Sequence, residues 1–258
     1  MHRIYKNTLN NGDIDNILEE LHIDKEKDKD DFKAFFRAIL SVVQEYISYK
    51  NPFSDDPHTK GAYKNHVERV FAYELYHQWS MKNTSCLCLN AEVQKYVRKR
   101  ISYKSKDNGH KTSTTAMVYP DLVFHGGQDT NDNQKIVCEI KREEQFTGNK
   151  NAIFADLLKL SCFTDKENGV FLSPNKNNYN YGAFLIVGEK VSGKLPSLMK
   201  IKSSTTIKLI EKRVKQKISF ETYKADENYR ETFKRIICIA YDGKALEVDT
   251  LENCLKNK

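Results

Sequence analysis

The chain holds no apolar run near the roughly 18 to 20 residues that a membrane-spanning helix needs. Proline and glycine are scarce, at 5 and 11 of 258 residues, which excludes a fibrous or linker-dominated chain. Six cysteines are present at positions 86, 88, 138, 162, 238 and 254, but none forms a CxxC pair and none joins a histidine at zinc-finger spacing. That usage fits buried free thiols in a reducing compartment. The start, Met1-His2-Arg3-Ile4-Tyr5-Lys6-Asn7, lacks an apolar stretch followed by small residues, so no secretory signal is expected. Together these absences predict a soluble, cytoplasmic protein with no membrane partner.

What is present is enough for one large domain. Hydrophobic residues make up 39% and charged residues 30%, with 42 Lys+Arg against 35 Asp+Glu and a formal charge of +7. The excess is uneven. Lys95, Arg98, Lys99, Arg100, Lys104, Lys106 and Lys111 face only Asp107 within their segment, and Lys190 to Lys217 is again mostly basic. Two basic segments suggest a polyanion partner, with ordinary solvated lysine as the competing explanation. Arg98, Lys99 and Arg100 are the candidates for phosphate contacts in the first segment, and Lys212 and Arg213 lead those in the second.

Hydrophobic spacing predicts helices at Asp13–Leu21, Phe32–Tyr49, Tyr63–Met81 and Ala152–Phe163. Strands are expected at Cys86–Val93, Met117–Phe124, Lys135–Lys141 and Tyr181–Val187, the middle two joined by the turn-forming segment from His125 to Gln134. Beyond Gly188, Thr206–Lys217 reads as a basic amphipathic helix and Tyr229–Ile237 as another helix. Ile236–Tyr241 and Ala245–Val248 read as an alternative hairpin about Asp242-Gly243. The order is that of a mixed α/β fold.

Side chains alternate across a strand, so Glu139 and Lys141 share one face of an otherwise apolar strand. A charged pair there serves packing poorly. If the hairpin brings Asp121 beside Glu139, two carboxylates and an ammonium meet at one end of a sheet. Hard oxygen ligands of this kind suit Mg2+ or Mn2+, with the carbonyl of Ile140 as a further ligand. Such a site can perform phosphodiester chemistry. Glu74 lies on or beside the apolar stripe of its helix, where a carboxylate must be paired or coordinate something.

These residues resemble the PD-(D/E)xK nuclease superfamily, the restriction-endonuclease-like fold. The motif stands as Pro120-Asp121, 17 intervening residues, then Glu139-Ile140-Lys141. The resemblance implies a central mixed sheet flanked by helices and an acidic residue on the preceding helix, a place Glu74 fits. It implies a following helix with a polar helper, for which Asp156 and Lys159 are candidates, although an exposed pair is their ordinary reading. It spans about Tyr63 to Gly188. Residues 1–62 are expected as an N-terminal helical extension, 63–188 as the nuclease-like core and 189–258 as a basic C-terminal extension of the same domain. The implied activity is metal-dependent cleavage of nucleic acid, DNA in the first instance, leaving a 5′-phosphate, in a protein that can pair as a homodimer. The alternative is a catalytically inactive relative that binds nucleic acid or protein. Glu92, His77, His125, Tyr96 and Tyr103 are secondary candidates near the site.

Overall fold

A computed structural model describes residues 3–6, 9, 11–23, 25–47, 66–82, 88–91, 99–107, 110–118, 120–125, 134–143, 150–164, 179–189, 195, 206–210, 215–219 and 227–256. Seven helices are described: α1 (Asn11–Glu20), α2 (Glu26–Ser41), α3 (Gln44–Ile47), α4 (His66–Lys82), α5 (Lys150–Thr164), α6 (Glu227–Lys234) and α7 (Leu251–Lys256). The eleven described strands are β1 (Arg3–Lys6), β2 (Cys88–Ala91), β3 (Lys99–Asp107), β4 (His110–Val118), β5 (Leu122–His125), β6 (Gln134–Arg142), β7 (Tyr181–Val187), β8 (Thr206–Ile210), β9 (Lys215–Ser219), β10 (Ile236–Tyr241) and β11 (Ala245–Thr250).

Seven strands form one mixed sheet in the order β1-β11-β10-β7-β6-β5-β2. β6, β7 and β10 run parallel, and antiparallel strands complete both sides. The parallel strands are apolar almost throughout because helices cover both of their faces. β10, Ile-Ile-Cys-Ile-Ala-Tyr, is buried at every position. The fold is therefore mixed α/β, and residues at both ends of the chain, in β1, β10 and β11, belong to the same sheet as the β5–β6 hairpin. Among the described residues no helix is long and apolar enough to cross a membrane.

On one face, α2 and α4 pack Phe32, Phe35, Phe36, Ile39, Phe71, Leu75 and Trp79 onto Phe124, Ile136, Cys138, Ile140 and Leu185. Phe124 is held edge-on by both Phe35 and Trp79. α5 covers the other face, with Ile153, Leu157, Leu160 and Phe163 buried. Its approach is close: a Cβ on Gly182 of β7 would stand 3.3 Å from Ile236 and 3.4 Å from Thr164. β10 and β11 turn at Asp242-Gly243, where Gly243 adopts φ +85 and Asp242 Oδ1 accepts from the N–H groups of Lys244 and Ala245.

α2 starts at Glu26, earlier than its apolar spacing indicates. Its first turns are charged, and Asp28 and Asp31 are buried there against Lys135 of β6. It ends where Val42 turns extended, and α3 follows.

A second, antiparallel sheet has the order β4-β3-β8-β9. The first basic segment contributes β3 and the start of β4 to it, and the sheet corrects one expectation. Asp107 of β3 pairs with His110 of β4. Thr206–Lys217 is not a helix, because Thr206–Ile210 and Lys215–Ser219 pair as a hairpin.

Candidate active site

The β5–β6 register sets Leu122 opposite Cys138. Asp121 stands one residue before β5, where the ladder ends, and its Oδ2 accepts from the Ile140 N–H at 2.7 Å. A side chain thus replaces a backbone acceptor, and the Asp121 carboxylate is fixed at the end of β6 beside Glu139.

β6 divides its residues by face. Ile136, Cys138 and Ile140 join the α2–α4 core, while Glu139 faces α5 and is only 1% exposed. From α5, Lys159 Nζ reaches Glu139 Oε2 at 2.6 Å and Asp156 Oδ1 at 3.1 Å. Lys141 Nζ lies 3.2 Å from Asp156 Oδ2, 3.7 Å from Glu68 Oε1 of α4, and 3.1 Å from the Ile140 carbonyl oxygen. Four carboxylates (Glu68, Asp121, Glu139 and Asp156) therefore share a half-buried cluster with two ammonium groups.

The excess of acid marks every group whose ionisation it perturbs. Burial, followed by the nearby Asp121 carboxylate, pushes Glu139 well above the ordinary glutamate range, with Lys159 opposing. Burial raises Asp121 too, against Lys141 and the Ile140 N–H. Burial raises Glu68, opposed by Lys141 and reinforced by Asp121 and Asp156. Burial would lower Lys141, but Asp156, Glu68, Asp121 and Glu139 outweigh it and hold the ammonium form. Lys159 follows the same pattern, with Glu139 and Asp156 decisive.

The structure gathers Asp121, Glu139, Ile140, Lys141, Asp156 and Lys159. Glu74 is engaged differently: its carboxylate accepts from Gln78 Nε2 at 2.6 Å and meets His77 Nδ1 at 3.4 Å. The acid that α4 sends to Lys141 is Glu68, which the sequence reading did not select. Glu74 lies six positions after Glu68, so the two stand about 120° apart around the helix. The signal was present. Glu68 falls in register with the buried Phe71, Ala72, Leu75 and Trp79 at offsets of three, four, seven and eleven.

Of the expected phosphate contacts, Arg98, Lys212 and Arg213 lie outside the described residues, as do Glu92 and Tyr96. Lys99 and Arg100 are adjacent on β3, and alternation places them on opposite faces. His125 ends β5.

Glu139 Oε1 and Glu68 Oε1 are buried without a hydrogen-bond partner. A buried carboxylate oxygen without a hydrogen-bond partner is a hard-oxygen donor, the chemistry that Mg2+ or Mn2+ takes, although Glu68 Oε1 lies 3.7 Å from Lys141 Nζ. Among the described residues no three His, Cys, Asp or Glu side chains are gathered closely enough to hold a metal, and the ammonium groups take the contacts between the carboxylates. The chain matches no protein-family model, no curated protein and no solved structure.

Proposed function

We propose that this chain is a divalent-metal-dependent phosphodiesterase that cleaves nucleic acid, DNA in the first instance, at the Asp121–Glu139–Lys141 cluster. One observation carries the reading. Glu139 and Lys141 alternate with core residues on β6, yet both turn into a cluster of acids and ammonium groups drawn from α4, the β5 entry and α5. A strand buried on both faces carries such groups at a cost to packing, and catalysis is the return for it. The order of α4, the β5–β6 hairpin, α5 and parallel β7 supports a restriction-endonuclease-like core.

Asp121, Glu139 and the Ile140 carbonyl would hold Mg2+ or Mn2+, with Glu68 facing Lys141 rather than joining them. Once bound, the metal supplies charge neutralisation at the scissile phosphate and a more acidic water. Asp121 is oriented by the Ile140 N–H. Lys141 keeps its proton at neutral pH because acids surround it. It therefore acts as a cation that attracts the phosphate and orients the attacking water; attack at phosphorus with the P–O3′ bond breaking would leave a 5′-phosphate and a 3′-hydroxyl, the outcome that the family resemblance implies. Asp156 is a positioning residue, since it bridges Lys141 and Lys159. Lys159 offsets the charge of Glu139 until a substrate or metal competes for it.

The test is cleavage of plasmid, single-stranded DNA and RNA with Mg2+ or Mn2+. Cleavage should vanish in Glu139→Ala and Lys141→Ala proteins that stay folded. Activity persisting in both would refute the assignment. Nucleic-acid binding without cleavage by the intact chain would leave the inactive-module reading in its place.

A further inference from the structure

The two basic segments, far apart in the chain, become neighbours in the second sheet. β3 brings residues from the first, and β8 and β9 bring residues from the second. The register aligns them. Lys104 of β3 is paired with Lys208 of β8, and Lys208 with Lys217 of β9. Paired positions share a face, so three lysine positions form one row across three strands. On the same face Lys106 is paired with Lys111, Arg100 lies four residues before Lys104, and Lys215 lies two before Lys217.

Seven basic positions thus fall on one face, and among the described residues no Asp or Glu shares it. The opposite face holds the apolar positions Ile101, Tyr103, Ile207, Leu209 and Ile218, together with Lys99, Asp107 and His110. Like charges set directly opposite one another across strands destabilise a sheet. A row of three lysine positions, with no acidic position on the same face of the described strands, suits a polyanion.

We infer that this sheet face binds duplex nucleic acid through its phosphate backbone. Duplex is favoured over single strand because, among the described residues, that face has no aromatic position on which unpaired bases would stack; Tyr103 is on the other side. Strands about 4.8 Å apart give the Lys104–Lys208–Lys217 row a width of about 10 Å, with alternate positions about 6.7 Å apart along each strand. Contacts of this kind supply affinity and orientation without sequence choice. The sheet is also tied to the cluster: Val118 ends β4 three residues before Asp121, a chain reach of no more than about 11 Å. The inference deepens the nuclease reading by assigning its substrate a second surface.

The experiment measures binding of 20-base-pair DNA and RNA duplexes, and of a 20-nucleotide single strand, against salt in EDTA. Cleavage plays no part there, so failure of the catalytic reading cannot be mistaken for failure of this one. At least one duplex should bind, more tightly than the single strand, and the two duplex arms identify the source of the backbone. K104Q/K208Q/K217Q should weaken duplex binding about tenfold or more at 0.1 M salt and flatten the log–log salt slope by about 2 to 3. Arg100→Gln with Lys106→Gln, away from the row, should flatten it by about 1 to 2. Removing three exposed lysines elsewhere, in K25Q/K27Q/K244Q, should do neither. Binding of neither duplex, a wild-type slope in both sheet variants, an equal loss in the control, or preference for the single strand would overturn the inference.

Discussion

Lys159 of α5 places its ammonium 2.6 Å from Glu139 of β6, inside a layer where Glu139 is 1% exposed. The contact joins a helix to a strand across the sheet face, yet it leaves Glu139 Oε1 with no hydrogen-bond partner. An ion pair that satisfies one carboxylate oxygen and orphans the other is a poor stability device. It is a reasonable resting state for a ligand.

Glu139→Gln should therefore abolish cleavage without harming the fold. The carboxyl is held well above its ordinary range, so its ionised form is costly at neutral pH and a neutral amide removes that cost. The thermal unfolding temperature at pH 8 should rise. A fall in Tm would show that the Glu139–Lys159 pair is structural.

The two acids of α4 separate by geometry. Glu68 meets Lys141, whereas Glu74 meets Gln78 and His77. Glu68→Gln should lower the cleavage rate by about a hundredfold or more, while Glu74→Gln should stay within about threefold of wild type. Single-turnover rates for the two variants check this, and the reverse order would move the site along the helix.

Lys135 is buried between Asp28 at 2.6 Å and Asp31 at 4.0 Å, tying α2 to the start of β6. Removing the cation leaves two buried acids facing each other. Lys135→Ala should cost about 3–5 kcal/mol in denaturant unfolding. A loss below about 1 kcal/mol would mean that the pair is solvated.

Asp31 gives the fold a pH dependence of definite sign. Burial, reinforced by Asp28 and opposed by Lys135, raises its carboxyl from 3.8 to about 6, with Lys27 opposing and Asp30 adding lesser effects along α2. The folded state then holds the proton more tightly than the unfolded chain. The stabilising contribution is complete below pH 3.8 and is lost as pH rises through about 6. Asp31→Asn should raise stability at pH 7.5 and flatten the stability profile between pH 4 and 6. An unchanged profile in that variant would contradict the assignment.

The apolar strands were legible because their signal is continuous. Tyr181–Val187 has the same limits in the sequence reading and in the structure, and the Asp242-Gly243 hairpin is marked by a turn residue that needs positive φ. The Asp121–Glu139–Lys141 grouping was readable from alternation on β6 and the turn-rich linker before it. The second sheet was not. Lys215–Ser219 reads Lys-Gln-Lys-Ile-Ser, with a charged face and little apolar alternation, so pairing with β8 decides its conformation. The early start of α2 was hidden for a similar reason: buried Asp28 and Asp31 look like a solvated charge run until Lys135, more than a hundred residues later, is brought beside them.

The most direct measurement is Mn2+ uptake followed by electron paramagnetic resonance, where binding removes the signal of free Mn2+. The wild-type chain should take up Mn2+ more tightly as pH rises, because the elevated carboxyls must lose their protons to serve as ligands. Glu139→Gln should take up far less at every pH. Equal uptake by the two proteins, or affinity that falls as pH rises, would contradict a metal centre built on Asp121 and Glu139.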